Sequence, residues 1–526
     1  MQDSHRYVGG VIAPVEALIP TAFEIVPSVR PSEPSVVNER RQLITMNPQQ
    51  RDRFHLFIGG ESQPASTDEW FESTDPATGE TIAEVARATP SDVDRAVRTA
   101  ADAFETWRDL PGVERGRILS DVATAVKDRA DQLAELESLD QGKPLSQAKS
   151  DVETTARYFE YYAGIADKLE GKSVPLSGSN VDFTERVPYG VSAQIAPWNV
   201  PVSLAARGSA PALAAGNTVV VKPASPTPLA TAFFAEICYE AGVPDGVFNV
   251  VTGRSDSGAA LSSHAAVDVI TFTGSVPTGQ TVMEAAAETV TPVTLELGGK
   301  NSAIVMADAD LDRAISEIDV GIFWNAGQIC AAADRALVHE SLYEEFVDGI
   351  VDAAESYELG HGLEDPDMGP LNNEDHYDEV LRYLDLGVEE GATLETGGRP
   401  LERDGYFVEP TVFSDVDPDM RIAQEEIFGP VLTVIPFSDA DEAIEMANDV
   451  EFGLTGGIFS QNVDRALTAA RGLDVGSVYV NEWYGGGVEA PFGGTKLSGI
   501  GREKGLEALD SYLQTKNISI NLDRGI

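Results

Sequence analysis

Val191-Ser192-Ala193-Gln194-Ile195-Ala196 runs directly into Pro197-Trp198-Asn199, and the residues that follow repeat the pattern of short apolar strand, turn and helix. The spacing predicts a helix over 201–215, then a strand over 218–221 ending at Lys222-Pro223. A helix over 227–241 and a strand over 247–251 follow, the latter ending at Thr252-Gly253. A strand over 269–272 then runs into Thr273-Gly274-Ser275 before a helix from Gly279. Such alternation implies an α/β fold built on a mostly parallel sheet, with ligands at the carboxyl ends of its strands. Gly274 and Gly279 flank a strand-to-helix turn, where a glycine lets backbone approach a phosphate and a helix N-terminus offers N–H groups. A plain tight turn accounts for the two glycines equally well.

Upstream of this core, short alternating segments from Phe54 to Glu84, broken by Gly59-Gly60 and Asp75-Pro76-Ala77-Thr78-Gly79, suit strands and turns. Helices are predicted from Ser91, over 112–139 and over 144–169, with Lys143 in the turn before the last. Leu169-Glu170-Gly171-Lys172-Ser173 has the look of a phosphate loop but lacks its first glycine, because Ala166 stands there. Residues 1–45 carry repeated prolines without periodicity and read as a disordered extension or a start assigned too early, with Met46 the true beginning.

Charge is the unusual bulk property. The 526 residues hold 86 acidic against 37 basic side chains, a net charge of −49, and only ten of the basic residues are lysines. Self-repulsion on this scale is tolerable where salt screens it, which points to a salt-adapted, haloarchaeal source and a cytoplasmic protein. It argues against nucleic-acid and anionic-membrane partners. Two cysteines exclude a disulfide framework. No apolar run approaches the ~20 residues of a membrane span. The six histidines show no ligand spacing, so no metal is expected.

One of the cysteines lies in Phe323-Trp324-Asn325-Ala326-Gly327-Gln328-Ile329-Cys330, followed by three alanines. Small neighbours leave a sulfur approachable, as a nucleophile requires, although a core cysteine would look the same. Leu295-Glu296-Leu297-Gly298-Gly299-Lys300 presents an acid between leucines before two glycines. This is a candidate buried general base on a strained turn, or else an edge glutamate in water. Glu425-Glu426-Ile427-Phe428-Gly429-Pro430 and the carboxyl-terminal Gly499-Ile500-Gly501-Arg502-Glu503 add further charged loops. The second cysteine, Cys238, falls inside a predicted helix and reads as core.

Taken together, Pro197-Trp198-Asn199, Lys222-Pro223-Ala224-Ser225, Phe272-Thr273-Gly274-Ser275, Glu296-Leu297-Gly298-Gly299-Lys300, Gly327-Gln328-Ile329-Cys330 and Glu426-Ile427-Phe428-Gly429-Pro430 resemble, in this order, the aldehyde dehydrogenase superfamily over residues 50–520. The resemblance implies oxidation of a small-molecule aldehyde to a carboxylic acid with NAD or NADP. Cys330 would be the nucleophile, Asn199 an oxyanion donor and Glu296 the base that activates water. Most relatives that pass the acyl group to coenzyme A lack this glutamate, so its presence favours a free acid product. Cofactor contacts would come from Ile195, Pro197, Trp198, Lys222, Ser225, Gly253, Gly274, Ser275, Leu297, Glu426 and Phe428. Lys222 would serve the adenine-side ribose, Ser275 the pyrophosphate, Glu426 the nicotinamide ribose and Phe428 the nicotinamide ring. Ser225 stands where many NAD-preferring relatives carry a glutamate, which implies that NADP is accepted; it could also cap the next helix.

The resemblance places Val200, Arg207, Trp324, Ile329 and Phe492 along the substrate tunnel. Arg207 matches a carboxylate anchor of semialdehyde-oxidising members, but could equally form a structural ion pair. Three parts are expected: a Rossmann-like cofactor domain over 46–167 and 188–297, a catalytic α/β domain over 298–497, and a β oligomerisation element over 168–187 and 498–526. The last is expected to build a homodimer or homotetramer. A nucleotide-independent esterase and a silent binding protein of the same fold are the competing functions.

Overall fold

The computed structural model describes residues 48–178 and 180–522. The expectations for residues 1–45 lie outside them. Five parallel strands form the centre of an eight-stranded sheet, in the order Val293–Glu296, Val269–Thr273, Val191–Ile195, Thr218–Lys222 and Phe248–Val250. Leu56–Ile58 and Glu61–Gln63 extend one edge antiparallel, and Gly499–Ile500 closes the other. Strand order reverses between Val191–Ile195 and Val269–Thr273. A doubly wound sheet opens its ligand crevice at such a reversal. Both strands are buried along their length except at their last residue, because helices cover both faces.

A second, seven-stranded sheet runs Thr393–Thr396, Thr411–Ser414, Val431–Phe437, Arg335–His339, Ser302–Val305, Thr455–Phe459 and Ser477–Val480, parallel apart from its first strand. A third sheet pairs Leu513–Asn521 with Asn180–Pro188 over nine residues, and Ser173–Val174 adds to it. No described helix is long and apolar enough to cross a membrane.

Several elements differ from their sequence reading. The helix expected over 112–139 is two helices, Gly112–Asp128 and Ala130–Gln141, because Arg129 leaves helical geometry (φ −110°, ψ 14°). Its guanidinium pairs with Glu240, at the end of the later helix Leu229–Glu240, at 3.0 Å. The following helix stops at Ala163 rather than near residue 169. Lys143 does sit between helices, but buried, its ammonium held by Glu137 and Asp151. Within the expected oligomerisation element, the closing strand is Leu513–Asn521. Gly499–Ile500, grouped by sequence with the oligomerisation element, pairs instead with the Glu296 strand.

Candidate active site

The Glu426 carboxylate and the Cys330 backbone meet at Gly298 and Gly299, which link the Glu296 strand of the first sheet to the Ser302 strand of the second. The sequence suggested a strained turn here. Neither glycine has a left-handed φ; what they supply is room. A Cβ on Gly298 would sit 2.1 Å from Glu426 Oε2, and one on Gly299 would sit 2.5 Å from the carbonyl oxygen of Cys330. The Gly299 N–H donates to Glu426 Oε1 at 3.1 Å. Asn301 Nδ2 donates to the carbonyls of Cys330 (3.0 Å) and Ala332 (2.8 Å). Three motifs more than a hundred residues apart at their ends are thus fixed against two backbone units.

Backbone strain is concentrated in the loop that carries the thiol. Asn325 and Ala326 both have φ of 53°, a conformation that costs a non-glycine residue about 1–3 kcal/mol and needs a surrounding structure to hold it. That structure is present. Asn199 Nδ2 donates to the Gln328 carbonyl at 2.8 Å, and Asn325 Nδ2 donates to the Asn199 carbonyl at 3.0 Å. Gln328 Nε2 donates to the Asn325 carbonyl at 2.8 Å, while Gln328 Oε1 accepts from the Asn372 N–H at 2.9 Å. Asn199 is buried at the start of the helix Pro201–Ala215, so its amide is locked beside the loop two residues before Cys330.

Cys330 itself is half-buried. It packs with Ile329 and Tyr484 against Ala331, Leu454 and Phe492. Burial pushes its thiol up to about 12, opposed by Arg207 and reinforced by Glu426, Glu296 and Glu503. The resting sulfur is therefore a thiol, and its proton must leave during attack. Glu296 closes its strand with 1% exposure, and neither carboxylate oxygen has a hydrogen-bond partner. Burial, then the like charge of Glu503, raise it well above the carboxylate range against the pull of Arg207 and Arg502. Such an acid accepts a proton near neutral pH, and a water-exposed edge glutamate is not what the structure holds.

Arg207 forms a buried ion pair with Glu503 and stands over the Phe492 ring, 5.0 Å from its centroid. Removing one partner of a buried pair costs about 3–5 kcal/mol, so the two are mutually dependent. The structure brings Arg207, Ile329 and Phe492 together. Trp324 instead lines a cleft with Ser146, Gln147, Asp319, Tyr357 and Asp367.

The residues present fit a nicotinamide dinucleotide. The helix Val276–Ala287 begins at Ser275 without a side-chain cap and without an acid in its first turn, which leaves its N–H groups for an anion. The nearby glycines serve packing: a Cβ on Gly274 would meet the Phe272 ring, and one on Gly279 the Leu297 side chain, both at 2.6 Å. Ser275 Oγ pairs with Thr278 Oγ1 at 3.0 Å. Burial lowers Lys222 to about 8, and Asp256 opposes this. Ser225 caps no helix, since Pro228 precedes the helix Leu229–Glu240; its hydroxyl donates to the Gly253 carbonyl at 2.9 Å. Burial raises Glu426 to about 8. Ile195 ends the strand at the reversal point, and Pro197 and Trp198 follow it.

Two participants escaped the sequence reading. The His376 ring lies tilted against Trp198 (centroids 5.1 Å apart) and edge-to-face with Phe428 (5.8 Å), and its Nε2 donates to the Phe428 carbonyl at 2.8 Å, holding a residue with φ of 59°. Burial lowers it to about 4, so it works as a neutral ring. Glu503 lay in a quoted motif but had no assigned partner; only the fold brings it to Arg207. Among the described residues no group of His, Cys, Asp and Glu side chains could hold a metal ion.

The sequence model of the aldehyde dehydrogenase family matches residues 63–518. The chain is similar to aldehyde dehydrogenase 1 of Tanacetum cinerariifolium, 45% identical over 88% of this chain and 94% of that protein. It is similar to hydroxyisobutyraldehyde dehydrogenase of Mycolicibacterium austroafricanum, 44% identical over 89% and 94%. It also superposes on the NAD+ complex of an aldehyde dehydrogenase from Bacillus cereus with a TM-score of 0.89 and 40% identity, covering 94% of this chain and 99% of that one.

Proposed function

The chain belongs to the aldehyde dehydrogenase family, and from that premise we propose which of its residues carry the oxidation of an aldehyde to a carboxylic acid with NAD. The observation that carries the assignment is the approach of the Cys330 carbonyl and the Glu426 carboxylate to Gly298-Gly299, two residues after Glu296. The Cys330 sulfur attacks the aldehyde carbon, its proton passing to solvent water, and the carbonyl oxygen becomes an oxyanion. The Asn199 amide and the Cys330 N–H stabilise that charge. Bound NAD supplies the acceptor for the hydride given up by the thiohemiacetal carbon, which leaves a thioester on Cys330. Glu296 takes a proton from the water that attacks this thioester; the acid leaves and the thiol is restored. An unpartnered buried carboxyl suits this task because no hydrogen bond must break before it receives the proton.

For the cofactor, Lys222, Ser225 and Gly253 would hold the adenine-side ribose. Gly274, Ser275 and the helix N-terminus would hold the pyrophosphate. Glu426 would hold the nicotinamide ribose, with Ile195, Pro197, Trp198, Leu297 and Phe428 enclosing the nicotinamide end. The direct test is the rise of reduced-nicotinamide absorbance in molar KCl, with NAD and NADP each offered against a panel of aliphatic, aromatic, sugar-derived and carboxylated aldehydes. Absence of turnover from folded protein would count against the reading, and ester hydrolysis without nucleotide would support the competing one.

NADP acceptance belongs to the same proposal. Ser225 places no charge against a 2′-phosphate, and Lys222 lies three residues before it. Ser225→Glu is expected to lower kcat/KM with NADP at least about tenfold relative to NAD, the effect of one charge opposed in a partly buried site. An unchanged ratio would remove the argument.

The charge balance supports a salt-adapted, cytoplasmic enzyme. Its melting temperature is expected to rise steadily between 0.1 and about 3 M KCl as self-repulsion is screened. A flat profile would contradict this. The exposed sheet Leu513–Asn521 with Asn180–Pro188 supports assembly into a homodimer or homotetramer, and a monomer by light scattering in salt would contradict it.

A further inference from the structure

The helix Leu311–Phe323 leads into the thiol loop, and it cannot run on through Asn325. A further helical turn would send the Asn325 N–H to the Gly321 carbonyl. That oxygen already accepts from the Ala333 N–H at 3.0 Å and from the Tyr484 hydroxyl at 2.8 Å. The chain turns instead through three successive left-handed residues, Asn325 (φ 53°, ψ 34°), Ala326 (φ 53°, ψ 37°) and Gly327 (φ 73°). Asn325 is 2% exposed, so its N–H needs an acceptor within the protein. Gln147 Oε1 supplies it at 3.0 Å, from the helix Leu145–Ala163, 178 residues earlier in the chain. Gln147 is buried, and the start of its helix is pinned on both sides. The Ser146 N–H donates to Asp365 Oδ1 at 2.7 Å, and Lys143, two residues before the helix, is held by Glu137 and Asp151.

We propose that Gln147 is a positioning residue for the attack on the aldehyde: by accepting from the Asn325 N–H it fixes the left-handed turn and, through Gln328, the two donors that meet the aldehyde oxygen. The Asn325 carbonyl accepts from the Gln328 N–H at 3.1 Å and from Gln328 Nε2 at 2.8 Å. The Gln328 carbonyl in turn accepts from Asn199 Nδ2 at 2.8 Å, and Cys330 follows two residues on. A left-handed turn at Asn325 and Ala326 persists only while its surroundings over-determine it, so loss of the Gln147 acceptor lets it relax. An oxyanion donor misplaced by about 1 Å costs about a hundredfold in rate. This inference rests on the oxidoreductase reading above and adds a residue to it.

The test is a single turnover with enzyme in excess of butanal and NAD saturating. The formation of reduced cofactor then reads attack and hydride loss alone, because hydrolysis of the thioester comes later. Its limiting rate constant at saturating enzyme does not depend on how much of the protein is folded, so a merely structural role for Gln147 leaves it unchanged. Gln147→Met keeps the length of the side chain and removes the acceptor oxygen. It is expected to lower the limiting rate by about 10–100-fold, with NAD affinity by fluorescence quenching unchanged. Gln147→Glu keeps an acceptor oxygen at the same reach and is expected to restore the rate.

An unchanged limiting rate in Gln147→Met, an equal loss in Gln147→Glu, or a parallel loss of NAD affinity overturns the proposal. Should Gln147→Met fail to fold, Gln147→Asn decides: its amide ends one methylene short of the Asn325 N–H, the same slow turnover is expected, and an unchanged rate overturns the proposal. Failure of the unmodified enzyme to oxidise any aldehyde would remove the oxidoreductase reading itself, whereas normal turnover in the unmodified enzyme and in Gln147→Met removes only this inference.

Discussion

Glu296→Gln is expected to turn steady oxidation into a single burst. About one equivalent of reduced cofactor per active chain should form at nearly the normal rate, followed by a steady rate about 10²–10⁴-fold lower, the usual contribution of a general base. Glutamine has the shape of the acid and cannot take the proton of the attacking water, so the thioester forms and persists. The substitution costs little stability, because neither oxygen of Glu296 holds a partner and a neutral amide replaces a group that burial already disfavours as an anion. Stopped-flow absorbance reads both phases. A slow rate without a burst would place Glu296 before hydride loss.

The same residue fixes the direction of the pH dependence. Burial and Glu503 raise Glu296, while Arg207 and Arg502 act against them. Its base form therefore accumulates only above the ordinary carboxylate range, and the rate of thioester hydrolysis should climb with pH through that higher range. In Glu296→Gln the residual steady rate should lose this limb.

Cys330→Ala is the second large effect. Turnover is expected to fall about 10⁴–10⁶-fold with every aldehyde and either cofactor, the scale seen when a nucleophile is removed. Folding should be retained, since alanine fits among Ala331, Leu454 and Phe492 with the loss of one half-buried sulfur. Cofactor binding, followed by fluorescence quenching, should remain. Cys238→Ala serves as the control: Cys238 is fully buried in its helix, burial holds its thiol well above the usual value, and its replacement should leave turnover intact. Comparable losses from both variants would point to a packing defect and away from a nucleophile.

Much of this site was legible in the chain because its chemistry sits in short, local signals. Strand-turn-helix alternation marked the crevice from Val191 to Gly279, and an acid between leucines before two glycines made Glu296 a candidate buried base, with an edge glutamate in water as the alternative. Local signals also misled where packing decides. Gly298 and Gly299 are needed for the approach of Glu426 and Cys330, which no local pattern reveals, and Gly274 and Gly279 make room for Phe272 and Leu297. The partners of Arg207 and Phe428 come from distant elements, so Glu503 and His376 acquired roles only in the folded chain. Arg129 breaks a helix that apolar periodicity alone would continue, because periodicity carries no information on a tertiary ion pair with Glu240.

The most direct test of the account is to mix Glu296→Gln protein with butanal and NAD, quench in acid after the burst, and locate the added mass by peptide mass spectrometry. The account predicts a butanoyl group on the peptide that carries Cys330, at a stoichiometry matching the burst. A burst without an adduct, or an adduct on Cys238 or elsewhere, would contradict it.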